Sequence, residues 1–115
     1  MSALDILGDP VRRRILELLA TGEETAGAIV TDIQRRHGIS QAAVSQHLRV
    51  LRENGFAKVR IDGPRRVYSL NSAGLREADK WLEQFRGHWV SRLTALTGEI
   101  ARGKAARKGR SKPSL

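Results

Sequence analysis

Apolar residues recur at three- and four-residue steps through the first half of the chain, which predicts a series of amphipathic helices. One helix begins at Asp9-Pro10, because Asp caps free amides and Pro is tolerated at the first helical position. Two more helices span residues 25–36 and 40–53, with Gly38 as the stop signal between them. Residues on their apolar stripes are predicted to be buried, namely Val11, Ile15, Leu18, Leu19, Ala26, Ile29, Val30, Ile33, Val44, Leu48 and Leu51.

The hydrophobic period then shortens to two, which is typical of β-strands. Residues 56–61 and 67–70 are predicted to pair as a hairpin, and the intervening Asp62-Gly63-Pro64-Arg65-Arg66 supplies turn residues. The sequence predicts a hairpin with two arginines at its tip but leaves the strand register open.

A long helix is predicted from Asn71-Ser72 onward. Gly74, Gly87 and Gly98 each weaken it, and a kink or break is expected near Gly87. Its apolar positions again follow three- and four-residue steps, at Leu75, Ala78, Leu82, Phe85, Trp89, Leu93, Leu96 and Ile100.

The charge is unevenly distributed along the 115 residues, whose net charge is +9. Residues 101–115 contain six basic residues and no acid, and residues 31–70 contain eight basic and three acidic residues. We expect one domain over residues 1–100 and a flexible basic tail over 101–115 that cannot bury enough apolar surface to order itself. A polyanion partner is the natural inference, although a solvated basic surface would give the same composition.

Other features of the sequence exclude several classes of protein. The chain has no cysteine, so disulfides and thiolate metal sites are absent. No apolar run approaches a membrane span, and the N-terminus lacks the pattern of a signal peptide, so we expect a cytoplasmic protein. No nucleophile motif, P-loop or paired carboxylate indicates an enzyme.

The order helix, helix, glycine turn, helix, basic hairpin, long helix is typical of a mainly α winged helix-turn-helix domain. In such a domain the third main helix enters the DNA major groove, and its outward face here carries small, amide and guanidinium groups. His47 lies at the edge of the buried stripe and either contacts DNA or packs and hydrogen-bonds within the protein. The candidate DNA-binding residues are Ser40, Gln41, Ala42, Ser45, Gln46, His47, Arg49, Arg52, Arg65 and Arg66.

The segments LGDPVRRRILELL, SQAAVSQHLRVLRENG and GPRRVYSL closely resemble those of bacterial ArsR/SmtB-type repressors. The resemblance implies a homodimer, paired through the first and last helices, that binds a pseudo-palindromic operator in double-stranded DNA and commonly represses its own operon. The corresponding interface residues would be Leu4, Leu7, Trp81, Leu82, Phe85, Trp89, Leu93 and Leu96.

Metal-sensing members of that family carry ligands that this chain lacks. No cysteine pair occurs in the positioning helix, and Trp81 stands where some members have histidine. We therefore expect no metal and no cofactor, and the sequence resembles a metal-independent branch of the family. The aromatic residues of the last helix are expected to pack in the core or the dimer interface, with a pocket for an unknown small effector as the alternative.

Two other functions remain open at this stage. A nonspecific or architectural DNA-binding protein would rely on the basic tail, and a protein-interaction winged helix would bind no DNA at all. Sequence-specific, autoregulatory repression is the function that the pattern favours.

Overall fold

The computed structural model describes residues 1–103, and the side chains of residues 1–98. The chain divides after Asp79 into two units, and each is described by itself. The elements are α1 (Ala3–Leu7), α2 (Pro10–Ala20), β1 (Glu24–Thr25), α3 (Ala26–His37), α4 (Gln41–Glu53), β2 (Ala57–Asp62), β3 (Arg65–Leu70) and α5 (Ser72–Gly103). The structure therefore confirms the mainly α fold with a β-hairpin, and most of the predicted basic tail lies outside the described residues.

Side-chain caps set the helix starts that the sequence predicted. The Asp9 carboxylate accepts hydrogen bonds from the backbone amides of Val11 and Arg12, at 2.8 and 3.1 Å, so that α2 begins at Pro10. The hydroxyls of Thr25 and Ser40 cap α3 and α4 in the same way. These caps satisfy amides that have no partner inside the helix.

The core of the first unit is built from α1 to α4 and the sheet. Ile15, Ile29, Ile33, Val44 and Leu51 are fully buried, as their helical spacing predicted. The prediction was wrong for Leu18, which is half-buried, and it missed Leu16, which is buried. Helix α2 contacts α1, α3, α4 and β3, so more of its circumference is buried than one stripe. Ala26 and Val30 are also only half-buried, because they line a groove beside α4.

The sheet has three antiparallel strands in the order β1-β3-β2, and the two-residue β1 was not predicted. The hairpin register pairs Ala57 with Leu70 and Asp62 with Arg65, which leaves a two-residue turn. Gly63 in that turn has a φ of 62°, a conformation that glycine adopts without strain. Arg65 and Arg66 are thus the first residues of β3, and their predicted place in the turn was wrong.

Helix α5 runs without a break from Ser72 to Gly103, so the expected break near Gly87 does not occur. Its first turn is capped by the Asn71 side chain, which accepts from the Ala73 amide at 3.0 Å. Gly74 has a packing role, because a Cβ there would lie 2.5 Å from the ring of the buried Phe56. No helix in the described part of the chain is long and apolar enough to cross a membrane.

Candidate nucleic-acid interface

The outward face of α4 is exposed along its whole length. Val44, Leu48 and Leu51 on the opposite face are buried, and this fixes the rotation of the helix about its axis. Glu53, the only acid in α4, lies in its last position and is 3.8 Å from the Arg49 guanidinium. The exposed side chains, in chain order, are Gln41, Ala42, Ser45, Gln46, Arg49 and Arg52, preceded by the exposed cap Ser40.

This face forms one wall of an open groove of about 670 Å³. The other walls come from the beginning of α3 and from β3 of the first unit. The groove brings Arg66 to the same surface as Arg49 and Arg52, although Arg66 is distant in sequence. Its lining residues are Ala26, Gly27, Val30, Gln41, Ala42, Ser45, Gln46, Leu48, Arg49, Arg52, Arg66 and Tyr68.

The two arginines of β3 have different surroundings. Successive side chains of a strand point to opposite faces, so Arg65 and Arg66 cannot share one face. A guanidinium N–H of Arg65 donates to the Asp62 carboxylate at 3.3 Å, whereas Arg66 lines the groove and makes no ion pair among the described residues. Arg66 is therefore the β3 arginine that is available to a ligand in the groove.

Ion pairs neutralise several other arginines of the first unit. Arg14 of α2 makes a two-pronged contact with Asp32 of α3, with both N···O distances at 3.0 Å. These hydrogen bonds hold the pKa of the Asp32 carboxyl below its ordinary value, although partial burial opposes them. In β2, Arg60 donates to Glu23 at 2.9 Å and in the same way lowers the pKa of that carboxyl. Arg14 and Arg60 thus form ion pairs within the first unit.

His47 of α4 is half-buried, and its Nδ1 lies 3.4 Å from a terminal guanidinium nitrogen of Arg12 in α2. The structure thus gives His47 a contact within the protein and also reveals Arg12, which the sequence analysis did not single out. The two residues are 35 positions apart, and no helical spacing relates them.

The aromatic residues of the second unit form an exposed apolar surface on α5. The rings of Trp81 and Phe85 lie 4.8 Å apart, and these side chains are 47% and 40% exposed. They are therefore not core residues of a single chain, and their place in a dimer interface stays a prediction. Leu82, Val90, Leu93 and Leu96 are exposed as well, whereas Trp89 is half-buried. Among the described residues, no three His, Asp or Glu side chains lie together as metal ligands would.

Comparisons with known proteins agree with this geometry. The Helix-turn-helix domain family matches residues 7–60. The transcriptional repressor SdpR of Bacillus subtilis is 35% identical over 79 residues, which are 69% of this chain and 83% of that protein. The crystal structure of a possible transcriptional regulator for arsenical resistance superposes with a TM-score of 0.65 at 33% identity, covering 86% of this chain and 96% of that one. This chain belongs to the ArsR-type family of winged helix-turn-helix repressors.

A second relative extends the match along the chain. The HTH-type transcriptional regulator Rv2034 of Mycobacterium tuberculosis is 38% identical over 92 residues, which are 80% of this chain and 79% of that protein. Membership in the ArsR-type family makes the chain a DNA-binding transcriptional repressor, and the family is one of regulators rather than an enzyme class. In this ArsR-type fold α3 is the positioning helix, α4 the recognition helix and β2–β3 the wing.

Proposed function

We propose that this ArsR-type repressor reads a specific operator by placing α4 in the major groove of double-stranded DNA, with the wing on the adjacent backbone. The observation that carries the proposal is the exposed face of α4, which has no acid before its last residue. Gln41 and Gln46 suit bidentate contacts with adenine, Ser45 pairs with several base edges, and Ala42 suits a thymine methyl group. Arg49, Arg52 and Arg66 suit guanine or phosphate.

The repressor is further proposed to act as a homodimer that pairs through α1 and α5. The exposed apolar side chains of α5 support this assignment, because contiguous apolar surface on a soluble helix commonly marks an interface. Two recognition helices would then read pseudo-palindromic half-sites about 34–36 Å apart. A charge on this surface, Leu93→Glu, should give monomers in analytical ultracentrifugation, and an unchanged dimer would place the interface elsewhere.

Repression without a metal is the remaining part of the proposal. It rests on the absence of cysteine from the sequence and on Trp81 in a position where a ligand would be needed. Thermal shift measurements with Zn²⁺, Cd²⁺ and arsenite test it. A rise in melting temperature together with loss of operator binding would show that the repressor senses that ion.

The decisive experiment is selection of bound DNA from a random pool, followed by fluorescence anisotropy with the selected site and a shuffled site. We expect the selected site to bind at least about 10³-fold more tightly at physiological salt. With about 6–10 phosphate contacts, affinity should fall by roughly 10³–10⁵ between 50 and 200 mM salt. Equal affinity for both sites would indicate a nonspecific DNA-coating protein, and no binding would indicate a protein-interaction module.

A further inference from the structure

Arg12 connects the C-terminal end of α1 with the recognition helix. Its Nε donates to the carbonyl oxygen of Ile6 at 3.0 Å, and one terminal nitrogen donates to the carbonyl oxygen of Asp5 at 3.1 Å. The other terminal nitrogen reaches Nδ1 of His47 at 3.4 Å. The Arg12 guanidinium therefore contacts two carbonyl oxygens of α1 and the imidazole ring of His47 in α4.

Both ends of this connection are held in place. The last carbonyl groups of a helix have no partner within it, and Arg12 supplies one for the Ile6 carbonyl oxygen, while the Asp5 carbonyl oxygen also accepts from the Gly8 amide at 3.2 Å. Ile6 anchors α1 because its side chain is fully buried, and the backbone amide of Arg12 is fixed by the Asp9 cap. His47 is half-buried beside the fully buried Val44 and the nearly buried Leu48. The guanidinium thus meets a ring that is partly shielded from solvent.

A hydrogen bond across this contact requires one particular tautomer of His47. A guanidinium has donors only, so Nδ1 must accept, and the proton of the neutral ring must lie on Nε2. We propose that Arg12 is a positioning residue that holds His47 as the Nε2–H tautomer, so that His47 donates a hydrogen bond to a DNA phosphate at the edge of α4. Phosphate, and not a base edge, is the acceptor because His47 does not line the groove and lies about 100° around the helix from Gln46, the nearest exposed side chain of the groove-facing set. The donor role rests on the DNA-binding function proposed above.

The tautomer is measured in the free protein by long-range ¹H–¹⁵N correlation of the imidazole nitrogens, with His47→Gln used to assign the signals. We expect the Nε2–H pattern in the wild type at pH 8 and a mixture of tautomers in Arg12→Met. Arg13→Met is the matched control, because Arg13 donates to the Leu7 carbonyl oxygen at 2.7 Å but does not contact His47. An Nδ1–H pattern in the wild type, or the same shift in both variants, would overturn the assignment to Arg12.

The donor role is tested with the selected operator and its shuffled control. His47→Leu should weaken binding to both DNAs by at least about tenfold for each hydrogen bond to a charged group that is lost, with one such bond in each protomer, and His47→Gln should recover part of that loss. A loss confined to the operator would indicate a base contact instead, and no loss would refute the donor role. If the wild type binds no DNA, the proposed function and the donor role fail together, whereas the tautomer measurement still decides what Arg12 does.

Discussion

The different surroundings of Arg65 and Arg66 lead to a quantitative prediction for the wing. Arg66 lines the groove beside α4, whereas Arg65 donates to Asp62 on the other face of the hairpin. Arg65→Met and Arg66→Met each remove one positive charge per chain, so their long-range effect on the DNA is the same. Any difference between the variants therefore reports direct contact.

The size of that difference follows from counterion release. One phosphate contact by Arg66 in each protomer gives two contacts per dimer, and each contributes about 0.9 to the slope of log K against log salt. Losing both should reduce the slope by roughly 2, which is about a tenfold difference in affinity between 50 and 200 mM salt. Arg65→Met should change the slope by less than half as much, because Arg65 does not line the groove beside α4.

Fluorescence anisotropy with the selected operator at five salt concentrations measures both slopes. The wild type and both variants should have equal melting temperatures, since both arginines are exposed. Equal slopes for the two variants, or a larger effect at Arg65, would refute the inference that the face of the wing bearing Arg66 meets the DNA.

Further predictions concern base reading and stability. Gln46→Ala should cost about 1–3 kcal/mol in each half-site and relax base preference at one position there, as read out by selection from a random pool. Gly74→Ala should destabilise the fold by about 1–3 kcal/mol in urea unfolding, because its methyl group would overlap the Phe56 ring, whereas Gly87→Ala, with open space around it, should not destabilise it. The pKa of Asp32 lies below its ordinary value of 3.8. Its ion pair with Arg14 therefore stabilises the fold fully at a pH above 3.8, and this stabilisation is lost as the pH falls through the lowered pKa. Asp32→Asn should therefore melt earlier at pH 7 and lose less stability between pH 5 and 2.

Local features of the sequence were sufficient to predict most helices. The Asp9, Thr25 and Ser40 caps act within three residues, and the stripe Val44, Leu48, Leu51 follows directly from the helical period. The same stripe also predicts which residues of α4 are exposed, because a helix that buries one side exposes the other.

Non-local contacts account for what the sequence did not predict. Strand β1 has only two residues and exists because it pairs with Tyr68 and Val67, more than forty positions later. Arg65 lies in a strand because the hairpin register pairs it with Asp62. The residue types around the turn do not determine that register. The aromatic residues of α5 have helical spacing whether they pack within one chain or against a second copy, so periodicity could not predict their exposure.

Ion pairing explains why net charge alone was a weak guide to the DNA-binding surface. Arg14 and Arg60 contribute to the +9 as much as Arg66 does, yet each is committed to a carboxylate at 3.0 Å or closer. Arg49 is an intermediate case, because its 3.8 Å contact with Glu53 joins two exposed side chains and such surface pairs contribute little to stability. A DNA phosphate can therefore replace Glu53 as the partner of Arg49 at little cost in free energy. To bind Arg14, a phosphate would have to break the bidentate pair between Arg14 and Asp32. Arg49, Arg52 and Arg66 lie on one groove together with Gln41 and Gln46, so their attraction for a polyanion coincides with the amide side chains proposed to read the bases.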